Sequence, residues 1–115
     1  SLEIMREEPK LLDRAMRVAV ESAIRQHCEF RGWHMHALNV RTNHVHVVVS
    51  ADDMPMDQVM TQLKARATRR LRDEGLVTAN GIVWARHGST RLVKGEEDLA
   101  EAVDYVLFRQ GEWLP

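Results

Sequence analysis

Asn43-His44-Val45-His46-Val47-Val48-Val49-Ser50 decides how the rest of the chain is read. Valine fills four of the five positions from 45 to 49, and branched side chains suit a pleated strand. Side chains alternate along a strand, so His44 and His46 share one face and Val45, Val47 and Val49 the other. Two imidazoles about 7 Å apart by the usual strand rise can chelate one divalent ion. The same triplet also fits a strand with two solvent-exposed histidines and no further role.

The flanking segments supply the frame. Trp33 to Val40 reads as a strand running through Arg41-Thr42 into the histidine strand. A tight turn there sets Asn39 opposite His44 and Ala37 opposite His46. Leu38 and Val40 then share the valine face, which needs helices to cover it. That register also places a second pair, His34 and His36, on the valine face as structural residues. Apolar Trp33, Met35 and Ala37 break phase with Leu38 and Val40, so a bulge or a longer turn is an alternative that would reverse the assignment.

Before the hairpin, Leu12, Ala15, Met16, Ala19, Ala23 and Ile24 recur at helical spacing, predicting a helix over 11–30 ended by Gly32. Glu8 and Pro9 are its candidate cap and first turn. Cys28 is expected to be a small core residue of that helix. After the hairpin, Met56, Val59, Met60, Leu63, Ala67 and Leu71 form the stripe of a helix over 56–74. Its second half carries Lys64, Arg66, Arg69, Arg70 and Arg72 without an acid among them, a candidate phosphate-contacting face or simply a solvated one. Strand residues are expected at 82–86 and 91–93. Glu96-Glu97-Asp98 favours a helix N-terminus, and Leu99, Ala102, Val103 and Val106 give that helix its buried stripe, with Gly111 as its end. Tyr105, the only tyrosine, falls about 110° from the centre of the stripe, at the edge of the apolar face.

At 115 residues the chain is expected to be a single domain, 1–115. No apolar run approaches a membrane span and no signal peptide is evident, so no membrane partner is expected. The lone Cys28 excludes an internal disulfide and fits a reducing cytoplasm. A net charge of −1 gives no global pull on nucleic acid, so such binding needs a local patch. Because the chain opens on serine, its natural start is expected to lie outside it.

Asn43-His44-Val45-His46 with Tyr105 on a late helix resembles the HUH single-strand nucleases. The nearest group is the single-tyrosine transposases of the insertion-sequence type and the REP-associated tyrosine transposases. Cys28 to Trp33, Leu63-Lys64-Ala65, Trp84 to Ser89 and Glu97 to Leu107 extend the likeness, which runs from about residue 10 onward. The resemblance implies an α+β, ferredoxin-like (RRM-like) fold with an antiparallel βαββαβ sheet, helices on one face and the active site on the other. It implies metal-dependent nicking and joining of single-stranded or hairpin DNA, an endonuclease-ligase chemistry used in transposition. His44 and His46 would hold Mg²⁺ or Mn²⁺, and Tyr105 would form a 5′-phosphotyrosine link.

Two departures accompany it. The family's polar ligand one turn after the tyrosine is replaced by Arg109, leaving Gln110 as a third-ligand candidate and Arg109 as a phosphate contact beside Lys64, Arg66, Arg69 and Arg70. The family's first strand has no convincing counterpart in residues 1–8, so it is expected to be missing or reduced to Leu2-Glu3-Ile4-Met5. That gap predicts exposed edges and a swapped homodimer. The alternative readings are a hairpin-binding protein of the same fold that no longer cuts, and a metal-binding domain unrelated to nucleic acid.

Overall fold

The computed structural model describes residues 2–7, 11–78, 84 and 89–108. Its elements run β1 (Leu2–Glu7), α1 (Arg14–Arg31), β2 (His34–Val40), β3 (Val45–Ser50), α2 (Met56–Asp73), β4 (Ser89–Leu92) and α3 (Gly95–Phe108). The four strands form one antiparallel sheet in the order β2-β3-β1-β4, the ferredoxin-like arrangement. Among the described residues no helix is long and apolar enough to cross a membrane.

The expected gap at the first strand is corrected by β1, which lies in the middle of the sheet. Leu2 pairs with Ser50 and Glu7 with Val45 on one side, while Glu3 pairs with Leu92 and Arg6 with Ser89 on the other. A segment alternating Glu3, Met5 and Glu7 with Leu2, Ile4 and Arg6 carries a weak period-2 signal. Its place between two strands, rather than its own propensity, makes it a strand. The premise for a swapped dimer, an unfilled centre, is therefore gone.

The hairpin register also differs from a tight turn. Asn39 pairs with His46, Val40 with Val45 and Leu38 with Val47, so 41–44 form a longer loop closed by Arg41 N–H donating to the His44 carbonyl (2.8 Å). The shift is by two residues, which preserves the faces near the turn. Leu38 and Val40 do pack with the valine face. A bulge between Met35 and Ala37 then changes phase: Met35 pairs with Val49, and His34 with Ser50. His34 and His36 therefore lie on the face opposite Val49, the reverse of the tight-turn assignment. Their rings stack at 4.1 Å. Burial, and then the charge of His34, holds the His36 imidazole below its ordinary value.

The helix α1 starts later than its apolar pattern alone suggests. Asp13 caps it by accepting the Met16 N–H (2.9 Å), and Arg14 is its first residue. Glu8 and Pro9, the candidate cap and first turn, lie outside the described residues. At the other end Gly32 adopts φ 73°, letting its own N–H reach the Glu29 carbonyl and the Trp33 N–H reach that of Cys28. The turn points Trp33 at Asp53, whose carboxylate accepts from the Trp33 indole (2.7 Å) and from Arg31 (2.8 Å). These bonds, led by the indole, hold the Asp53 carboxyl below its ordinary value and clasp α1 to the β3–α2 loop.

Two apolar layers sandwich the sheet. α1 and α2 cover Val45, Val47 and Val49 with Val20, Ile24, Val59, Leu63 and Leu71. Cys28 is buried here as expected, and burial pushes its thiol up to about 11. Helices on one face is thus the arrangement of α1 and α2 only. The third helix, α3, lies across the opposite face, where Ala102, Tyr105 and Val106 pack on Ala37 and Val48. Strand residues 82, 83, 85 and 86 fall outside the described residues. Trp84 is described, and its indole donates to Thr68 on α2 (2.8 Å).

Candidate active site

Register and helix phase together build the site. On β3, His46 faces away from the α1–α2 layer, and its ring is 1% exposed. Its near neighbour is Tyr105, whose ring meets His46 edge-on with centroids 5.6 Å apart and planes 86° apart. Tyr105 is itself 2% exposed. The edge position expected from periodicity is therefore corrected: the buried face of α3 centres on Ala102, Tyr105 and Val106, spaced i, i+3, i+4, with Leu99 and Val103 only partly buried. A stripe scored on hydrophobicity alone gives the tyrosine too little weight, because most of its ring is apolar.

His44 flanks the pair, its ring 5.9 Å from that of His46 with planes 20° apart. It stands just before β3, half-buried, and its Nδ1 lies 2.8 Å from Asn43 Oδ1. A carbonyl oxygen only accepts, so Nδ1 is the donor and, in the neutral ring, the proton sits there rather than on Nε2. That is the tautomer a metal ligand needs, set by a neighbouring side chain. Two neutral imidazoles on one side of a strand suit a divalent ion and leave most of its coordination sphere open to oxygen donors. Among the described residues no group of three His, Cys, Asp or Glu side chains completes a metal site. Glu101, a neighbour of Tyr105 on the helix, is exposed. Gln110 and Arg109, the candidates for third ligand and phosphate contact, lie outside the described residues.

The cationic run occupies a different place. Lys64, Arg66, Arg69 and Arg70 ride on α2, on the helix side of the sheet, so the fold does not bring them to His46 and Tyr105.

The residue that sequence reasoning missed is Asn39. Its Nδ2 donates to the Val106 carbonyl (3.0 Å), tying the last turns of α3 to β2 beside Tyr105. Carbonyls at a helix C-terminus have no partner within the helix, so a side-chain donor there anchors the end. The signal was an amide in mid-strand, where an apolar or β-branched residue is the ordinary choice. Asn39→Ala should release about 1 kcal/mol of that anchoring. Amide exchange in α3 should then quicken roughly fivefold while α1 and α2 keep their rates. Uniform acceleration in all three helices would contradict a local anchor.

The sequence model of the family described as "Transposase IS200 like" matches residues 4–106. The chain belongs to the IS200-like transposase family. Two solved structures resemble this transposase-family chain in fold. A candidate transposase from Deinococcus radiodurans R1 aligns with a TM-score of 0.68 at 16% identity, covering 92% of this chain and 88% of that one. The REP-associated tyrosine transposase bound to a REP hairpin aligns with a TM-score of 0.64 at 12% identity. There the match covers 91% of this chain but 63% of the other, so the IS200-like chain spans under two thirds of that protein. No curated protein matches.

Proposed function

We propose that this chain, as one domain, nicks and rejoins single-stranded or hairpin DNA with the help of a divalent metal ion, through a 5′-phosphotyrosine intermediate. The observation that carries the reading is Tyr105 packed edge-on against His46, with His44 alongside. Nucleophile and metal-ligand candidates come from helix and strand more than fifty positions apart, and the fold joins them. Family membership and the hairpin bound to the REP-associated relative support the substrate class.

In this mechanism the Tyr105 hydroxyl loses its proton and its oxygen attacks phosphorus. The new Oη–P bond forms as the P–O3′ bond breaks, and the leaving 3′ oxygen takes up a proton to become a free hydroxyl. The reverse attack by a 3′-hydroxyl rejoins a strand, since the phosphodiester energy is kept in the protein link. His44 and His46, with Gln110 as third candidate, would hold Mg²⁺ or Mn²⁺, which when bound polarises the phosphate and stabilises developing negative charge. His46 and Tyr105 are both buried, so in this reading the packing over the tyrosine hydroxyl opens when a strand binds. Lys64, Arg66, Arg69 and Arg70 serve as phosphate contacts away from the reacting bond, and Arg109 is a further phosphate-contact candidate.

A labelled single-stranded hairpin pool incubated with the chain and Mn²⁺ should give a protein–DNA band that survives a denaturing gel and vanishes with chelator. Binding without any such band would instead select the non-cutting hairpin binder. For the homodimer, the outer strands β2 and β4 are the edges left to pair. Light scattering should read twice the 13.3 kDa chain mass at high concentration. A monomer at every concentration would count against it.

A further inference from the structure

Behind the sheet, away from Tyr105, α1 and α2 leave an open cleft of about 340 Å³ between them. Its walls are Gln26, His27 and Phe30 on α1, facing Arg66, Arg69, Arg70 and Asp73 on α2. One wall is an exposed aromatic ring. Phe30 is 79% exposed, and its ring lies 6.2 Å from that of buried His27 with planes 26° apart. His27 is fixed in turn by Gln62 (2.7 Å) and by an edge contact with Trp33. The ring thus rests on an ordered base, with its outer side in solvent.

The other wall is cationic. Arg70 is preset, because its guanidinium donates to Ser22 and Gln26 across the cleft. Arg69 stands outward with its side chain 75% exposed, 3.8 Å from Asp73. Among the described residues Arg66 enters no ion pair. Three guanidinium groups meet one lining carboxylate, Asp73, and Glu74 stands 3.8 Å from Arg70 beside the cleft, so the wall keeps a net positive charge centred on Arg66. Aromatic ring and arginines within one cleft match the two halves of a nucleotide: a base stacks on the ring, and a phosphate sits on guanidinium N–H groups. A base pair in a duplex keeps both faces stacked on its neighbours and offers none to Phe30. The cleft volume is at the small end of ligand sites, enough for one such unit.

We propose that this cleft takes one unpaired nucleotide of the bound DNA strand, its base on Phe30 and its phosphate on Arg66, Arg69 and Arg70. The proposal rests on the DNA-processing reading and extends it. Since the cleft and Tyr105 lie on opposite faces of the sheet, the nucleotide held here is not the one attacked. It is a remote anchor that sets which part of the strand reaches the tyrosine.

The test is fluorescence anisotropy of the full chain with a labelled oligo-thymidine strand and with an abasic strand of equal length, both in chelator so that nothing is cut. Phe30→Ala should weaken the oligo-thymidine complex about tenfold and leave the abasic complex unchanged. Phe30→Trp should restore tight binding. Arg66→Gln with Arg69→Gln should flatten the salt dependence by about 0.7 per lost phosphate contact. Phe30 is exposed, so its truncation hollows no core. Equal affinities of wild type and Phe30→Ala for oligo-thymidine, or equal losses on both strands, would overturn the cleft. A base-dependent loss with no covalent adduct on the denaturing gel supports the cleft and sinks the nicking reading. An adduct with no base-dependent loss does the opposite.

Discussion

Tyr105→Phe should abolish the covalent protein–DNA adduct while leaving the fold intact. The substitution removes one oxygen and keeps the ring that fills the space between Ala37, Val48, Ala102 and Val106. Its cost to stability is at most one hydrogen bond, about 0.5–1.5 kcal/mol. Its cost to chemistry is the loss of the attacking atom, and adduct yield should fall by several orders of magnitude. Circular dichroism and the thermal midpoint check the first half, and the denaturing gel checks the second. Hairpin affinity should persist, because the α2 arginines proposed as phosphate contacts are on the far side of the sheet. A full-strength adduct from the phenylalanine variant would mean another nucleophile, and with it a different reading of the His46–Tyr105 contact.

Leu63→Ala carries the largest expected loss of stability. Leu63 is 1% exposed at the centre of the layer where α1 and α2 meet the valine face. Truncating a fully buried leucine removes its transfer free energy and leaves a cavity, together about 2–5 kcal/mol. A small domain has only about 5–15 kcal/mol to lose, so the variant should unfold at a much lower denaturant midpoint. Leu11→Ala is the matched control. Leu11 is 78% exposed, and its truncation should shift stability by about 0.5 kcal/mol or less. A Leu63→Ala loss as small as the control's would show that the helices do not close over the sheet as described.

Each of these substitutions tests one side of the sheet, and the two sides differ in how legible they were. The α1–α2 side could be read because its signals are local. Helical spacing of Val59, Leu63, Ala67 and Leu71, and alternation of Val45, Val47 and Val49, each repeat within one element. The bounds accordingly agree closely, with α2 at Met56–Asp73 against a predicted 56–74. On the α3 side the local signal was thinner. Tyr105 was placed at the margin because a mixed-polarity side chain scores poorly on a hydrophobic wheel, whereas its ring is buried against His46. The tight-turn reading puts the histidine pair at 34 and 36 on the wrong face because one bulge inverts every residue beyond it, and the break in apolar phase at Ala37-Leu38 fits a bulge or a longer turn alike.

The sequence by itself determined the three helices, the pairing of β2 with β3, the resemblance to the tyrosine transposases and the residues on which their chemistry would rest. These follow from periodicity and from short motifs taken in their order along the chain. Only the tertiary structure decided that Leu2–Glu7 is a central strand, that Asn39 anchors α3, and that the arginines of α2 face Phe30 instead of the tyrosine. The reason is common to all three. A weakly patterned segment becomes a strand when neighbours satisfy its backbone on both sides, and a side chain gains a partner when packing brings a distant element to it. Both are long-range facts, set by how the layers close and carried by no single stretch of residues.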